Sequence, residues 1–287
     1  MSINHDKPIL MKKSKNEDNY LFLGLPKSGK TVLFVILAQA MQRYTANKTD
    51  NMAFRYCDSQ TDSFVYRAIN GLNKQDWPEK TQRYDSGYSF ELIKNYYLSV
   101  PKITAKKGNL WKKIKSIKLQ PTKPLLGIKS SIYYHDYPGE AFEVAFTDTS
   151  AGNPNIKKYA DTMKAQINNA RGLFLIIDAE NIFNGVEKDK LRETLLKLFK
   201  HINNNNPAMK VAVLFNKIEL FDQIEIDFEK EFKTSYGNAY AYKPANCKFF
   251  EVLPLGSVET NDKGVIIPPK KIVSTKLLEP LQWMLDF

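Results

Sequence analysis

Gly24-Leu25-Pro26-Lys27-Ser28-Gly29-Lys30-Thr31 fits the pattern G-x-x-x-x-G-K-[ST], and these residue types at this spacing suit one task, holding a row of phosphates. Backbone N–H groups of such a loop turn inward to phosphate oxygens. The glycines Gly24 and Gly29 let the backbone approach, Ser28 completes the cradle, and the helix that starts at Lys30 adds partial positive charge. Lys30 would bridge the two outer phosphates of a nucleoside triphosphate and face solvent while the loop is empty. The Thr31 hydroxyl would coordinate Mg²⁺. The alternative reading is a plain glycine turn ahead of a helix. A second group, Asp136-Tyr137-Pro138-Gly139, closes the apolar run Ser131–Asp136. There the Asp136 carboxylate could hold a water of the Mg²⁺ shell while the Gly139 N–H senses the terminal phosphate. Alternatively, Pro138 and Gly139 serve only a turn.

Asn216-Lys217-Ile218-Glu219, directly after the apolar run Val211–Phe215, resembles the N-K-x-D base-reading motif of GTPases, with Glu in place of Asp. A carboxylate at Glu219 can accept hydrogen bonds from guanine N1–H and the exocyclic amine, whereas adenine offers neither donor there. The extra methylene of Glu lengthens that reach. After the next apolar run, Leu255-Gly256-Ser257-Val258 stands where a Ser-Ala-Lys-like loop would present a backbone N–H to the base. The plain alternative makes Asn216–Glu219 a helix start in a chain rich in Asn and Lys.

These residues act together only if the fold gathers them. Short apolar runs at Tyr20–Gly24, Ala53–Cys57, Phe90–Leu98, Ser131–Asp136, Gly172–Asp178, Lys210–Phe215 and Lys248–Leu253 predict strands. Helical patterns lie between them, at Lys30–Tyr44, Lys157–Ala170, Glu187–Ile202, Ile224–Phe232 and Thr275–Leu285. Alternation of this kind predicts an α/β sandwich, a mostly parallel sheet with helices on both faces. Residues 1–19 read as a polar tail and 20–287 as one domain, with an insertion at about 50–130.

A hydrophobic content of 43% with 25% charged residues is that of a globular chain, and no apolar run reaches the roughly 20 residues that cross a bilayer. The first residues lack the continuous apolar stretch of a secretory signal, so a cytoplasmic protein is expected. Cys57 and Cys247 are too few for a disulfide framework or a zinc site and are expected to be buried. Net charge is +11, and its source is local: between Glu91 and Asp136 there are ten lysines and no acidic residue. In that stretch Leu110, Trp111, Ile114 and Ile117 recur at helical spacing among lysines. Residues 94–129 could therefore meet an anionic partner, a membrane surface or nucleic acid. A solvated insertion with a few buried anchors is the alternative.

Taken in order, the motifs from Tyr20 to Phe287 resemble the translation-factor-like (TRAFAC) class of GTPases. Gly-Leu-Pro-x-Ser-Gly-Lys-Thr with Asp-Tyr-Pro-Gly-Glu is similar to the bacterial double-GTPase group and its DYPGE-bearing relatives, which are associated with conflict and stress systems. Trp77-Pro78-Glu79-Lys80-Thr81 is similar to the Trp-Pro-x-x-Thr stretch that those proteins carry in switch I; the alternative is an amphipathic loop with a buried Trp. The resemblance implies a Ras-like domain that binds GTP with Mg²⁺ and hydrolyses it to GDP and phosphate as a molecular switch. Thr81 would join Thr31 and Asp136 at the metal, and the partner would be a protein effector or a second GTPase-like subunit. Two departures stand out. The 105 positions between Thr31 and Asp136 exceed what a minimal Ras-like domain needs, and Glu140 stands where Ras-like enzymes place a water-orienting Gln. Lys30, Thr81 and Glu140 are thus the candidate catalytic residues. A nucleotide-gated binding module with little turnover, or an ATPase, stays open.

Overall fold

Two apolar faces explain why the strands read as nearly unbroken hydrophobic runs. The computed structural model describes residues 17–24, 28–46, 52–78, 87–102, 118–135, 139–146, 154–183, 188–221, 226–274 and 276–286. Strands β1 (Glu17–Gly24), β2 (Met52–Tyr56), β3 (Gly87–Lys102), β4 (Lys118–His135), β5 (Gly172–Asp178), β6 (Lys210–Asn216) and β7 (Cys247–Glu251) form one sheet in the order β2-β3-β4-β1-β5-β6-β7. β4, β1, β5, β6 and β7 pair in parallel, and β3 runs antiparallel to both neighbours. Leu21, Leu23, Leu173, Leu175, Val211 and Val213 point to one face, and Tyr20, Phe22, Phe174, Ile176, Ala212 and Leu214 to the other. This is the period of two that a strand imposes. With both faces covered, the sheet is the α/β sandwich that the alternation predicts.

Helix α1 (Lys30–Ala46) leaves β1 through the glycine loop and buries Leu33, Phe34, Leu37, Ala38 and Met41. On the same face lie α2 (Ser59–Asn73), capped by Asp58, whose side chain accepts from the Thr61 N–H, and α9 (Leu278–Leu285). The opposite face carries α3 (Gly139–Phe146), α4 (Pro154–Asn169), α5 (Glu180–Phe183), α6 (Lys188–Asn205), α7 (Phe228–Ser235) and α8 (Gly237–Ala241). Leu195, Leu198, Phe199 and Ile202 of α6 are fully buried there. Each such side chain contributes about 1.5–3 kcal/mol of burial free energy. A small antiparallel pair, β8 (Glu259–Thr260) with β9 (Ile266–Ile267), follows β7. Gln75 donates to the Glu259 carboxylate and the Pro268 carbonyl, and Trp77 Nε1 to the Ile266 carbonyl. These bonds tie the segment that follows α2 to the β8–β9 pair and Pro268 beside it.

The structure departs from the sequence reading in several places. β2 and α2 fill the first part of the insertion, where only a strand was predicted. The expected strand at Ser131–Asp136 is the end of a far longer one, since β3 and β4 form a hairpin running from Gly87↔His135 out to Lys102↔Lys118. Past Lys94 and before Lys129 these two strands pair only with each other among the described residues. Ten-residue stretches beyond a sheet's edge carry too little periodicity for sequence to reveal them. The helical spacing at Leu110–Ile117 lies outside the described residues. Cys57 is exposed rather than buried, because it follows the last residue of edge strand β2 at the turn into α2. Cys247, at the start of β7, is half-buried, and burial pushes its thiol up to about 12.

Candidate functional site

β1, β5 and β6 are parallel and in register, so Gly24, Asp178 and Asn216 all end at one edge of the sheet. The chain leaves β1 toward β4 on one side and returns to β5 on the other, which makes this edge the point where strand order reverses. Ligand crevices of open α/β sheets lie at such points. Both glycines there are required by contact. A side chain at Gly24 would put its Cβ 2.7 Å from the Ile176 carbonyl oxygen and 2.8 Å from Ser28 Oγ. Gly29 has φ +77°, and a Cβ there would meet Asn216 Nδ2 at 2.4 Å. Gly24 thus packs on β5 and Gly29 against the end of β6, with α1 beginning immediately at Lys30. The first N–H groups of a helix have no intrahelical partner and suit an anion.

Lys30 is buried, at 8% exposure, which corrects the expectation that it faces solvent in an empty loop: it is the first residue of α1 and is buried with that helix. Thr31 is half-buried, and its hydroxyl lies 2.9 Å from the phenol oxygen of Tyr134 on β4. Ser28 is fully buried. Asn216 donates from Nδ2 to the Ser28 carbonyl at 2.8 Å, while its buried Oδ1 has no hydrogen-bond partner among the described residues. Lys217 adopts φ +64° and places its ammonium 2.5 Å from Asp178 Oδ2. Asp178, 5% exposed, also accepts from the Glu180 N–H, so its two oxygens fix the Lys217 stem and the turn into α5 together. Glu219 opens a 3₁₀ turn, Ile218–Phe221, and is buried at 5% exposure. Carboxylates are seldom buried this far without a specific purpose.

Ser257 is exposed beyond the end of β7. Its loop is held by Val273, whose N–H donates to the Leu255 carbonyl and whose own carbonyl packs so near Gly256 that a Cβ would meet it at 2.2 Å. Trp77 is 43% exposed, so the buried-Trp alternative does not hold. Thr81 and Asp136 lie outside the described residues. Gly139 and Glu140 are described only as the first two residues of α3. The structure therefore brings together Gly24, Ser28, Gly29, Lys30, Thr31, Asn216 and Lys217, with Glu219 two residues further on. Sequence reasoning missed Asp178 and Tyr134. Asp178 carried a signal, a carboxylate ending an apolar strand, but Tyr134 is one aromatic among several in its strand.

The chemistry of this donor set fits a magnesium–nucleotide complex. Mg²⁺ on a triphosphate takes only one or two protein oxygens, and Thr31 offers one at the helix start. Among the described residues no group of three His, Cys, Asp or Glu side chains forms a cage of its own.

No protein-family model matches the chain, and no curated protein matches its sequence. Among solved structures it is similar to the ADP-ribosylation-factor-like GTP-binding protein SAR1 of Encephalitozoon cuniculi in complex with GDP, at 12% identity over 94% of this chain and 79% of that one, with a TM-score of 0.37. It is also similar to the Ski7 GTPase-like domain of S. cerevisiae bound to GTP, at 16% identity, 94% and 50% coverage and a TM-score of 0.41. A third is the Methanosarcina barkeri Roco2 RocCORdC fragment bound to GDP, at 15% identity, 86% and 46% coverage and a TM-score of 0.30. This chain spans about half the length of the last two.

Proposed function

We propose that the chain binds GTP with Mg²⁺ at the edge formed by Gly24–Thr31 and Asn216–Glu219 and hydrolyses it slowly to GDP and phosphate, as a switch. The observation that carries this reading is the seating of Asn216 on the phosphate loop, through Ser28 and against Gly29. A phosphate grip and a base-reading segment that meet in the fold support a single nucleotide spanning them. Lys30 would neutralise phosphate charge, and Thr31, with Asp136 and Thr81, would hold Mg²⁺. An ion held by those residues would supply positive charge against the negative charge that develops on the phosphates. The protein's own part is positioning: the loop N–H groups orient the phosphates, and the Lys217 stem, pinned by Asp178, forms a wall for the base. The finer likeness to the double-GTPase group rests on the sequence of Gly24–Thr31, Trp77–Thr81 and Asp136–Glu140. A protein effector or second GTPase-like subunit, and a cytoplasmic setting, belong to the same proposal.

The second reading, a nucleotide-gated module with little turnover, is favoured by one residue. In sequence Glu140 directly follows Gly139, where Ras-like enzymes have a water-orienting Gln. Single-turnover phosphate release separates the two readings.

Calorimetry with GTP and ATP tests the proposal. GTP should bind at least about a hundredfold more tightly, because a site built for one base edge leaves buried polar groups unpaired with the other. Lys30→Ala, its fold checked by circular dichroism, should lose at least about tenfold, or roughly 1.4 kcal/mol. Equal affinity for the two nucleotides would remove the guanine assignment, and unchanged binding by Lys30→Ala would remove the phosphate site.

A further inference from the structure

Thr31 and Tyr134 are 103 positions apart, yet their hydroxyl oxygens lie 2.9 Å from each other. A threonine hydroxyl has one hydrogen and two lone pairs. When it coordinates a cation it gives up a lone pair and must turn its hydrogen away, and the cation makes that hydrogen a stronger donor. An acceptor has to stand where the hydrogen points. Tyr134 supplies a phenol oxygen at that distance from the end of β4, two residues before Asp136. Its ring is fully buried and hemmed in by Phe34 at 5.0 Å, Phe22 at 6.2 Å and Tyr88 at 6.2 Å. Packing this dense gives the ring no second position without moving its neighbours.

We propose that Tyr134 is a positioning residue for Mg²⁺: its phenol oxygen takes the Thr31 hydrogen and so leaves a lone pair of Oγ1 aimed at the metal. The inference rests on the reading of Thr31 as a metal ligand given above. A neutral phenol suits the task because it accepts the hydrogen without adding charge beside the phosphates. It also links β4, whose tip carries Asp136, to the helix that starts at the phosphate loop.

The test is triphosphate binding by calorimetry, in EDTA and across a Mg²⁺ titration, for wild type, Tyr134→Phe, Thr31→Ala and the double variant. Phenylalanine keeps the ring and its packing, and thermal melts confirm the fold. Removing a group that orients a metal ligand typically costs 10–100-fold in metal affinity, and for a neutral ligand the lower end applies. Tyr134→Phe should therefore raise the Mg²⁺ concentration for half-maximal effect about tenfold while binding in EDTA changes less than about twofold. Thr31→Ala should shift it at least as far, and the double variant no further than Thr31→Ala alone, since the two act through one hydroxyl. An unshifted Mg²⁺ titration in Tyr134→Phe beside a shifted one in Thr31→Ala overturns the inference, as does an equal loss in EDTA. If Thr31→Ala is unshifted too, the metal reading of Thr31 fails first and this inference falls with it.

Discussion

Asn216 Nδ2 lies 2.8 Å from the carbonyl oxygen of Ser28, 188 positions earlier in the chain, and occupies the space that a side chain at position 29 would need. The bond makes the phosphate loop and the end of β6 one unit. Gly29→Ala is therefore expected to fail twice over, on its positive φ and on the 2.4 Å approach to Asn216. Triphosphate affinity should fall at least about tenfold, or roughly 1.4 kcal/mol. Asn216→Ala removes one hydrogen bond, worth about 1 kcal/mol of stability, and should weaken GTP and ATP binding alike. Denaturant melts and calorimetry on the two variants check this. Wild-type affinity in Gly29→Ala would contradict it.

Base choice should follow Glu219. Glu219→Ala is expected to erase most of the preference for GTP, whereas Glu219→Asp keeps or improves it by restoring the shorter reach. Xanthosine triphosphate has an oxygen in place of the guanine amine, so Glu219→Gln, which offers an N–H, should shift preference toward it. Competition binding measures all three, and selectivity untouched in Glu219→Ala would reduce Asn216–Glu219 to a chance match.

Turnover by the isolated protein should be slow, near the unassisted Ras scale of about 10⁻⁴ s⁻¹, because Glu140 follows Gly139 with a carboxylate. Glu140→Gln should preserve or raise the single-turnover rate if the carboxylate repels the terminal phosphate. A lower rate would instead make Glu140 a base, and a wild-type rate above about 1 s⁻¹ would refute slow intrinsic hydrolysis.

The motif residues of the site were legible in sequence because each motif needs its spacing within one loop. The sheet and its two-sided burial were legible as well, since Gly172–Asp178 and Lys210–Asn216 are continuous apolar runs. Contacts between loops were not. Nothing in sequence announces that Lys217 would reach back to Asp178, or that Tyr134 would stand against Thr31, because both depend on which strands become neighbours. Helix α2 was missed for another reason: it buries only Thr61, Val65, Ala68, Ile69 and Leu72, a narrow stripe in a polar segment.

Acidification should loosen the α4–α6 contact. His201 Nε2 is 2.7 Å from the Asn168 side-chain oxygen, and Asn205 Nδ2 lies 3.3 Å from Nδ1, a pair satisfied by the neutral ring with its hydrogen on Nε2. Burial, and then the charge of Lys164, lower the His201 value below its ordinary 6.5. Below that value the unfolded chain binds the extra proton more readily than the folded one. This contribution to stability is therefore complete above pH 6.5 and is lost progressively below it, as pH falls through the lowered value of the folded state. Urea denaturation at pH 7.5 and 5.5 should show the decrease, and His201→Gln should flatten it. An equal decrease in the variant would assign the effect elsewhere.

Beyond Lys94 and Lys129 the β3–β4 hairpin pairs with no third strand among the described residues. An open edge can template a strand from another copy of the same chain. Pro101, Pro121 and Pro124 lack the N–H that such pairing needs, and between Glu91 and Asp136 the sequence carries ten lysines and no acidic residue, so two such segments would repel each other. Such a lysine excess would oppose self-association, in addition to the anion-holding role expected of residues 94–129. The two roles respond to salt in opposite directions. As the screening length drops from about 10 Å at 0.1 M to about 3 Å at 1 M, an anionic partner would let go while the hairpins would begin to find one another.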